Sequence, residues 1–289
     1  RLRHSAGGQA GHIFRFPVLT TWRSETSRCQ EIPTSCRRRT TQSCISSGVG
    51  PCVRCPNVVE HQRSEYQRSE QRSLEQRRFA GTAAELHALP IPTEGDAAEL
   101  WIMEPTSSAV VMGSSQRPDI FDQERLRKDG VALAARRSGG GAVYVAPSST
   151  VWIDLVAPRS SRFWSSDLAE NFLLVGRLWQ KAFRSLGVAT DLCVASPGRT
   201  EASTLACWAG TGWGELTIGG AKVVGLSQRR TRWGSRVQAM AVLDGSSARV
   251  SDYLMPLDQT IVRDSLQIHD LGLKPAAVEA AILQAYTTS

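Results

Sequence analysis

Long hydrophobic runs are missing from this chain of 289 residues. No apolar stretch approaches the roughly 20 residues that a membrane-spanning helix requires. The sequence also contains no segment with the apolar core of a secretory signal, so a reducing compartment is the default. We therefore predict a cytoplasmic protein with no membrane partner, and its hydrophobic content of 41% suits a globular fold.

Lysine is absent from residues 1–80, which hold 14 arginines and 6 acidic residues, a balance of +8. Of the 34 basic and 27 acidic residues in the whole chain, this leaves 20 basic and 21 acidic ones beyond residue 80. The net charge of +7 therefore comes from the first segment alone. For this reason the charge does not indicate that the rest of the chain binds nucleic acid, and no nucleic-acid partner is predicted.

Periodic apolar residues are also missing from residues 1–80, where Arg, Ser, Thr and Gln predominate. A segment without a helical or strand period cannot form a packed core, so we predict that it is disordered. Three origins stay open: a nucleic-acid-binding arm, an organelle presequence, or an upstream extension that is not a genuine domain. The third is favoured because the chain begins with Arg1. Cys52 and Cys55 have the spacing of half a zinc site, but no second pair follows, so no metal site is predicted.

The pattern changes after this segment. We interpret residues 81–97 as a linker, residues 98–256 as the main folded domain, and residues 257–289 as a C-terminal helical extension. The longest helix begins near Ser165 and repeats apolar residues every three or four positions. The predicted strands are 99–104, 109–113, 131–135, 141–145, 150–156, 215–218, 222–226 and 238–243, and the other predicted helices are 119–128, 250–254 and 275–286. This alternation predicts an α/β or α+β fold, with a mixed β-sheet flanked by helices.

The most informative stretch is the run Arg136-Arg137-Ser138-Gly139-Gly140-Gly141-Ala142-Val143-Tyr144. Three glycines after a serine allow backbone N–H groups to close around an anion, and two arginines add positive charge. Neither the Walker spacing nor the dinucleotide fingerprint is present. We interpret the run as a clasp for an acyl or adenylyl group between two strands, although a plain structural turn would have a similar sequence.

A second informative stretch covers residues 207–230, where a hairpin is predicted around Gly219-Gly220. Lys222 directly follows this turn. It is either a solvated charge at a strand edge or an ammonium group aimed into a site, where it would neutralise a phosphate or an acyl oxygen. His61, His87 and His269 have no ligand-like neighbours in the sequence, and we assign them no role.

Together the two stretches resemble motifs of the biotin/lipoate protein ligase superfamily, in particular its lipoate–protein ligase A and octanoyltransferase branch. The glycine run matches the Arg, spacer, Ser-Gly-Gly-Gly-Ala-Val-Tyr motif of that branch. Residues 220–228 match its Gly-x-Lys-Val-x-Gly-x-Ser/Ala-Gln motif, which includes Lys222, Gly225 and Ser227. The resemblance covers about residues 98–256 and implies the fold of this family's catalytic domain.

The resemblance implies acyl transfer to a lysine of a lipoyl carrier domain, and lipoate–protein ligase activity through a lipoyl-adenylate is the reaction that we predict. In the ligase branch, lipoate and ATP form a lipoyl-adenylate with the help of Mg²⁺, and the acceptor lysine then displaces AMP. By position, residues 136–144 with Gly225 and Ser227 would bind the substrate or adenylate. Lys222 would stabilise the acyl oxygen or the phosphate. The acceptors would be lipoyl domains of 2-oxoacid dehydrogenase complexes or the glycine cleavage H protein.

The chain departs from the ligase pattern at three places. Residues 145–149 replace the usual His-Asp-x-Gly-Asn, and Gln238-Ala239-Met240 replaces Gln-His-Gly. Only 33 residues follow Pro256, fewer than the accessory domain of larger ligases requires. These departures leave the use of ATP open.

Cys207 indicates an alternative, because it lies fifteen residues before Lys222, as in a group of octanoyltransferases of this superfamily. Such a cysteine forms an acyl-thioester from octanoyl carrier protein and needs no cofactor. Cys207 could also be a buried core residue or an unreactive thiol that lines the site. A further alternative is a non-catalytic relative that binds the acyl group or the carrier.

Overall fold

The computed structural model describes residues 75–195 and 198–289. The predictions for residues 1–74, including the zinc half-site, lie outside the described residues. The strands are β1 (Glu75–Gly81), β2 (Glu99–Pro105), β3 (Ala109–Met112), β4 (Ala132–Ala135), β5 (Val143–Val145), β6 (Thr150–Pro158), β7 (Asp191–Leu192), β8 (Leu216–Ile218), β9 (Ala221–Arg230) and β10 (Gly234–Val242). The helices are α1 (Ala83–Ala88), α2 (Gln123–Lys128), α3 (Leu168–Ser185), α4 (Glu201–Leu205), α5 (Pro256–Ser265) and α6 (Pro275–Thr287), with 3₁₀ segments at Pro118–Ile120, Cys207–Ala209 and Ser246–Tyr253.

The strands form two sheets. The large sheet has the order β1-β2-β6-β10-β9-β8-β7, and the small sheet has the order β4-β3-β5. In the large sheet β1 and β2 are parallel, whereas β2, β6, β10 and β9 pair antiparallel in turn. The predicted mixed sheet flanked by helices is confirmed.

Helix α3 covers one face of the large sheet. Its apolar stripe contains Val175, Trp179 and Phe183, all fully buried in the main hydrophobic cluster. Asp167 caps its N-terminus by accepting hydrogen bonds from the backbone N–H groups of Ala169 and Glu170. None of the helices in the described ranges is both long and apolar enough to cross a membrane. The cytoplasmic location stays a prediction.

The fold begins before the domain boundary that the sequence suggests. Residues 75–81 form β1 at the sheet edge, where five of seven side chains are exposed, so the strand has no apolar alternation to detect. The predicted linker contains α1, which starts with a capping box between Thr82 and Glu85 and buries Leu86 and His87. The C-terminal extension packs onto the main cluster through α6, whose Ile282 and Tyr286 are fully buried.

Candidate active site

A pocket lies between the glycine loop and strands β9 and β10. It has about 430 Å³ of empty volume, its open mouth included. Its lining residues are His87, Arg136, Val143, Val145, Trp152, Cys207, Trp208, Gly225, Leu226, Ser227, Gln238 and Met240. The two motifs that are separate in the sequence therefore meet in one cavity.

The glycine loop fixes the position of Cys207. The Cys207 backbone N–H donates to the Ala142 carbonyl at 2.8 Å, and the Ala142 N–H donates to the Leu205 carbonyl at 2.8 Å. This parallel bridge brings the backbones so close that a Cβ on Gly141 would lie 2.6 Å from the carbonyl carbon of Ala206. Gly141 is therefore required for the contact that carries the thiol into the pocket.

Lys222 lies beside this thiol, behind the pocket wall. Its Nζ is 3.6 Å from Cys207 Sγ and donates to the carbonyls of Cys207 at 2.8 Å and Gly210 at 3.1 Å. It also forms a 2.8 Å ion pair with Glu215 Oε2, and both side chains are buried. An ammonium group has three protons, so these three oxygen acceptors can engage all of them.

Charge on both neighbours keeps this lysine protonated. Burial lowers the pKa of Lys222, but the charges of the Cys207 thiolate and the Glu215 carboxylate outweigh burial, and the net pKa is raised. Glu215 is itself fully engaged, because its Oε1 accepts from the Leu226 N–H at 2.9 Å and its Oε2 from the Gly212 N–H at 2.7 Å. The thiol therefore faces a cation that a rigid backbone and a buried carboxylate hold in place.

The Arg136 side chain stabilises the glycine loop from inside. Its guanidinium donates to the carbonyls of Gly139 at 2.9 Å and Gly141 at 2.8 Å, and the side chain is buried. On the outer side, a Cβ on Gly113 would lie 1.8 Å from the Gly140 carbonyl oxygen. Gly113, in the turn after β3, is thus a requirement of the loop that the sequence analysis did not single out. Arg137 is exposed.

Hydrogen bonds between uncharged side chains form the other end of the pocket. Gln238 Oε1 accepts from the hydroxyls of Ser138 at 2.9 Å and Ser227 at 3.2 Å. Its Nε2 then faces His87 Nδ1 at 2.9 Å, which leaves the proton of the neutral imidazole on Nε2. Burial, together with the charges of Arg136 and Arg236, lowers the pKa of His87 to about 3.

The sequence analysis assigned no role to His87, and it also left Val145, Trp152, Trp208, Leu226, Gln238 and Met240 out of the predicted site. The His87 ring lies against Trp152, with the ring centroids 4.5 Å apart. Arg236 donates to the Leu86 carbonyl at 2.9 Å and pairs with the fully buried Asp154 at 2.6 Å, so it ties the end of α1 to the sheet. The capping box of Thr82 and Glu85 is the one local signal that could have revealed this helix.

The other predicted site residues divide into two groups. Arg136, Val143, Cys207, Gly225 and Ser227 line the pocket, and Ser138 joins its hydrogen-bond network. The second group lies elsewhere. Ala142 and Tyr144 are buried in a cluster on the other side of the small sheet, and the Tyr144 hydroxyl accepts from Arg249 at 2.7 Å.

Few groups near the pocket suit a metal ion. Its lining contains no aspartate or glutamate, and both oxygens of Glu215 are occupied. Within the described ranges, no group of three or more His, Cys, Asp and Glu side chains could hold a metal ion. Magnesium bound with a nucleotide usually takes one or two carboxylates, so these residues do not fit such a cofactor.

Comparison with protein families gives one match that covers most of the chain. The family is described as the lipoyl protein ligase A/B catalytic domain, and it matches residues 75–269. The match begins with β1 and includes the glycine loop, Cys207 and Lys222.

Two curated relatives carry names from one branch of this family. Octanoyltransferase LipM of Moorella thermoacetica is 29% identical over 111 residues, which are 38% of this chain and 40% of the relative. Octanoyl-[GcvH]:protein N-octanoyltransferase of Geobacillus kaustophilus is 30% identical over 152 residues, 51% of this chain and 48% of the relative. The chain thus matches about half or less of the length of either relative.

Solved structures share the fold. Lipoate-protein ligase A bound with ATP aligns with a TM-score of 0.56 and 17% identity, over 74% of this chain and 85% of that one. A bi-partite lipoate protein ligase from Thermoplasma acidophilum aligns with a TM-score of 0.55 and 17% identity, over 74% of this chain and 83% of the other. At these identities the likeness describes the fold alone.

Proposed function

We propose an acyl transfer reaction for this chain, which belongs to the family of lipoyl protein ligase A/B catalytic domains. The chain would transfer an octanoyl group to a lysine of a lipoyl carrier domain through a thioester on Cys207. The observation that carries this proposal is the Cys207 thiol in the pocket, 3.6 Å from the Lys222 ammonium. The names of the two curated relatives support the octanoyl group, and one of them includes the H protein abbreviation GcvH.

The reaction would proceed in two displacements. The Cys207 thiolate attacks the carbonyl carbon of octanoyl carrier protein, the new C–S bond forms, and the donor thiolate leaves and takes up a proton. The neutral amine of the acceptor lysine then attacks the Cys207 thioester. A C–N bond forms, the C–S bond to Cys207 breaks, and the amine proton neutralises the departing thiolate.

In this scheme the role of Lys222 differs from the one that the resemblance implies. Its three protons are engaged by the carbonyls of Cys207 and Gly210 and by Glu215. Contact with an acyl oxygen or a phosphate would break one of these bonds. We therefore assign Lys222 to the stabilisation of the Cys207 thiolate, both as attacking and as leaving group.

The pocket lining suits a saturated chain. Val143, Val145, Trp152 and Met240 supply apolar surface beside the thiol. Each buried methylene contributes about 0.8 kcal/mol, so a chain of several methylenes gains much of its affinity here. His87 also lines the pocket, and its Nε2–H is a neutral donor that could orient a polar group of the substrate.

Lipoate activation by ATP is the second candidate function. Arg137 and Arg229 are close enough that each contributes positive potential to the other, and together with burial and Arg236 this lowers the pKa of Arg229. Neither has an ion-pair partner among the described residues, and such a pair of cations next to Ser227 could hold a phosphate. Lipoate would then be the acyl substrate, and ATP would be required although the pocket supplies no carboxylate for Mg²⁺.

The intact mass of the carrier domain separates these candidates. We expect the H protein to gain one octanoyl group from octanoyl carrier protein without ATP, and the enzyme to show a hydroxylamine-sensitive octanoyl adduct. Cys207→Ala should abolish both, while Cys193→Ala, the matched control, should retain both. A lipoyl gain that requires ATP and survives Cys207→Ala would establish the ligase instead. Binding of lipoate or octanoyl carrier protein without any product would indicate a non-catalytic relative.

A further inference from the structure

Two neighbouring loops carry a cluster of arginines and tryptophans that the pocket does not use. One loop connects β6 to α3, and the other is the turn between β9 and β10. We call this cluster the arginine–tryptophan rim; it consists of Arg159, Arg162, Trp164, Arg230, Arg232 and Trp233. The guanidinium groups of Arg159 and Arg230 lie 4.8 Å and 5.6 Å from the Trp164 ring. Arg232 lies 4.7 Å from the Trp233 ring.

Hydrogen bonds to backbone carbonyl groups join the two loops into one surface. Arg230 donates to the carbonyls of Ser165, Ser166 and Asp167 at the start of α3. From the other loop, the Arg159 N–H donates to the Trp233 carbonyl at 3.0 Å. The rim is therefore a fixed surface rather than a set of independent side chains.

The rim is exposed and positively charged. Trp233 is 44% exposed, and Arg159, Arg162 and Arg232 are exposed as well. None of the four rim arginines forms an ion pair with a carboxylate of the described residues, unlike Arg77 and Arg78 on β1. Tryptophan and arginine are the residues that most often dominate binding energy at protein interfaces. An exposed surface of this composition is suited to binding rather than to solvation alone.

The distance from the pocket fits a protein partner. Ser227 lines the pocket, and Thr231 begins the turn four residues later on the same strand, about 13 Å away at strand spacing. A standard interface covers about 800 Å² of each partner, which corresponds to a disc of roughly 16 Å radius. A domain that places a lysine in the pocket is therefore large enough to reach the rim as well.

We propose that the arginine–tryptophan rim docks the carrier domain through acidic residues of that domain, and that this contact selects negatively charged carriers. This inference rests on the proposed function, because it takes the partner to be the protein that brings its lysine to Cys207. Arginine binds carboxylates in a two-pronged geometry, and Trp233 offers an exposed apolar anchor beside those charges. The shared chemistry of the partner is an acidic protein surface with an accessible apolar side chain.

The test measures binding separately from catalysis. The probe is a glycine cleavage H protein of net negative charge whose acceptor lysine is replaced by arginine, so that it binds but cannot be acylated. We expect Arg159→Glu/Arg232→Glu to raise its Kd at least about tenfold and to reduce the salt dependence of binding. Trp233→Ala should raise Kd to a similar extent. Arg184→Glu, an exposed substitution near the far end of α3, should leave Kd unchanged.

A kinetic measurement distinguishes docking from the reaction itself. In the rim variants we expect KM for the unmodified H protein to rise with Kd while kcat stays constant. Formation of the Cys207 adduct from a small octanoyl thioester should not change. Rim-dependent binding without acyl transfer in the wild type would contradict the proposed function but support docking. An unchanged Kd for the H protein in both rim variants would overturn the docking proposal. The proposal would also be overturned if a duplex oligonucleotide bound through the rim while the H protein bound independently of it.

Discussion

The two ends of the pocket are built in different ways. At the thiol end, Cys207, Lys222 and Glu215 form a buried cluster of ionisable groups within a segment of 16 residues. At the loop end, Ser138, Gln238 and His87 form a network of uncharged groups drawn from residues 151 positions apart. The charge of Arg136 at this end is directed at carbonyls of the glycine loop.

This difference suits two different tasks. A thiolate nucleophile is stabilised by a nearby cation, and a buried cation needs a counter-ion, which accounts for Lys222 and Glu215 beside Cys207. Recognition of a mostly apolar acyl chain needs fixed shape and few donors, which a neutral network provides at no cost in charge burial. In the reaction that we propose, the charged groups therefore lie beside the reacting sulfur, and the rest of the pocket is lined by groups that carry no unpaired charge.

The largest predicted effect comes from breaking the thiol end at Lys222. Lys222→Met leaves the buried Glu215 carboxylate without a cation, so we expect unfolding free energy to fall by about 3–5 kcal/mol. Formation of the Cys207 adduct should fall by at least about 10²-fold, because the thiolate loses its cation. Urea denaturation and a single-turnover assay with an octanoyl thioester measure the two effects.

A second variant separates stability from chemistry. Lys222→Met/Glu215→Gln removes both charges, so it should recover part of the lost unfolding free energy but none of the adduct formation. The recovery is partial because the amide nitrogen of Gln cannot accept one of the two backbone N–H bonds that Glu215 accepts. Lys128→Met, at an exposed lysine of α2, is the control and should behave like the wild type. Full activity in the double variant would refute the role that we assign to Lys222.

A smaller effect is predicted for His87 at the loop end, where the neutral form of the side chain, rather than a charged form, is the one that stabilises the fold. The pKa of His87 is about 3 in the folded protein against 6.5 when unconstrained, so below pH 6.5 the unfolded chain binds more protons. Stability therefore falls as the pH decreases from 6.5 towards 3. Between pH 7 and pH 5 this amounts to about 2 kcal/mol.

The measurement compares urea denaturation at pH 7 and pH 5 in three proteins. His87→Gln keeps a polar side chain without a proton-binding imidazole, so it should lose about 2 kcal/mol less than the wild type over this interval. His269→Gln, at an exposed histidine, should lose as much as the wild type. Equal losses in all three proteins would contradict a buried, neutral His87.

The same contrast explains what the sequence could reveal. The proximity of Cys207 and Lys222 was predictable because the two residues are close in the chain and follow a family spacing, and the family and the mixed sheet are both confirmed. The pairing of Lys222 with Glu215 emerged only from the structure. His87 could not be predicted, because its partners Gln238 and Trp152 reach it only through the sheet pairing. The close approach of Gly113 to Gly140 is likewise a tertiary contact without a local signal.

The smallest predicted effects test whether the loop end is a true network. Gln238 Oε1 accepts from both Ser138 and Ser227, so either hydroxyl alone can satisfy it. Ser138→Ala and Ser227→Ala should each reduce unfolding free energy by about 0.5–1 kcal/mol. Together they leave a buried carbonyl oxygen without a donor, so the double variant should lose about 1 kcal/mol more than the sum. Urea denaturation of the four proteins measures this coupling. Strict additivity of the losses in unfolding free energy would mean that the two serines act independently. The loop end would then be a set of separate contacts and not a connected network of uncharged groups, in contrast to the ion cluster around Cys207.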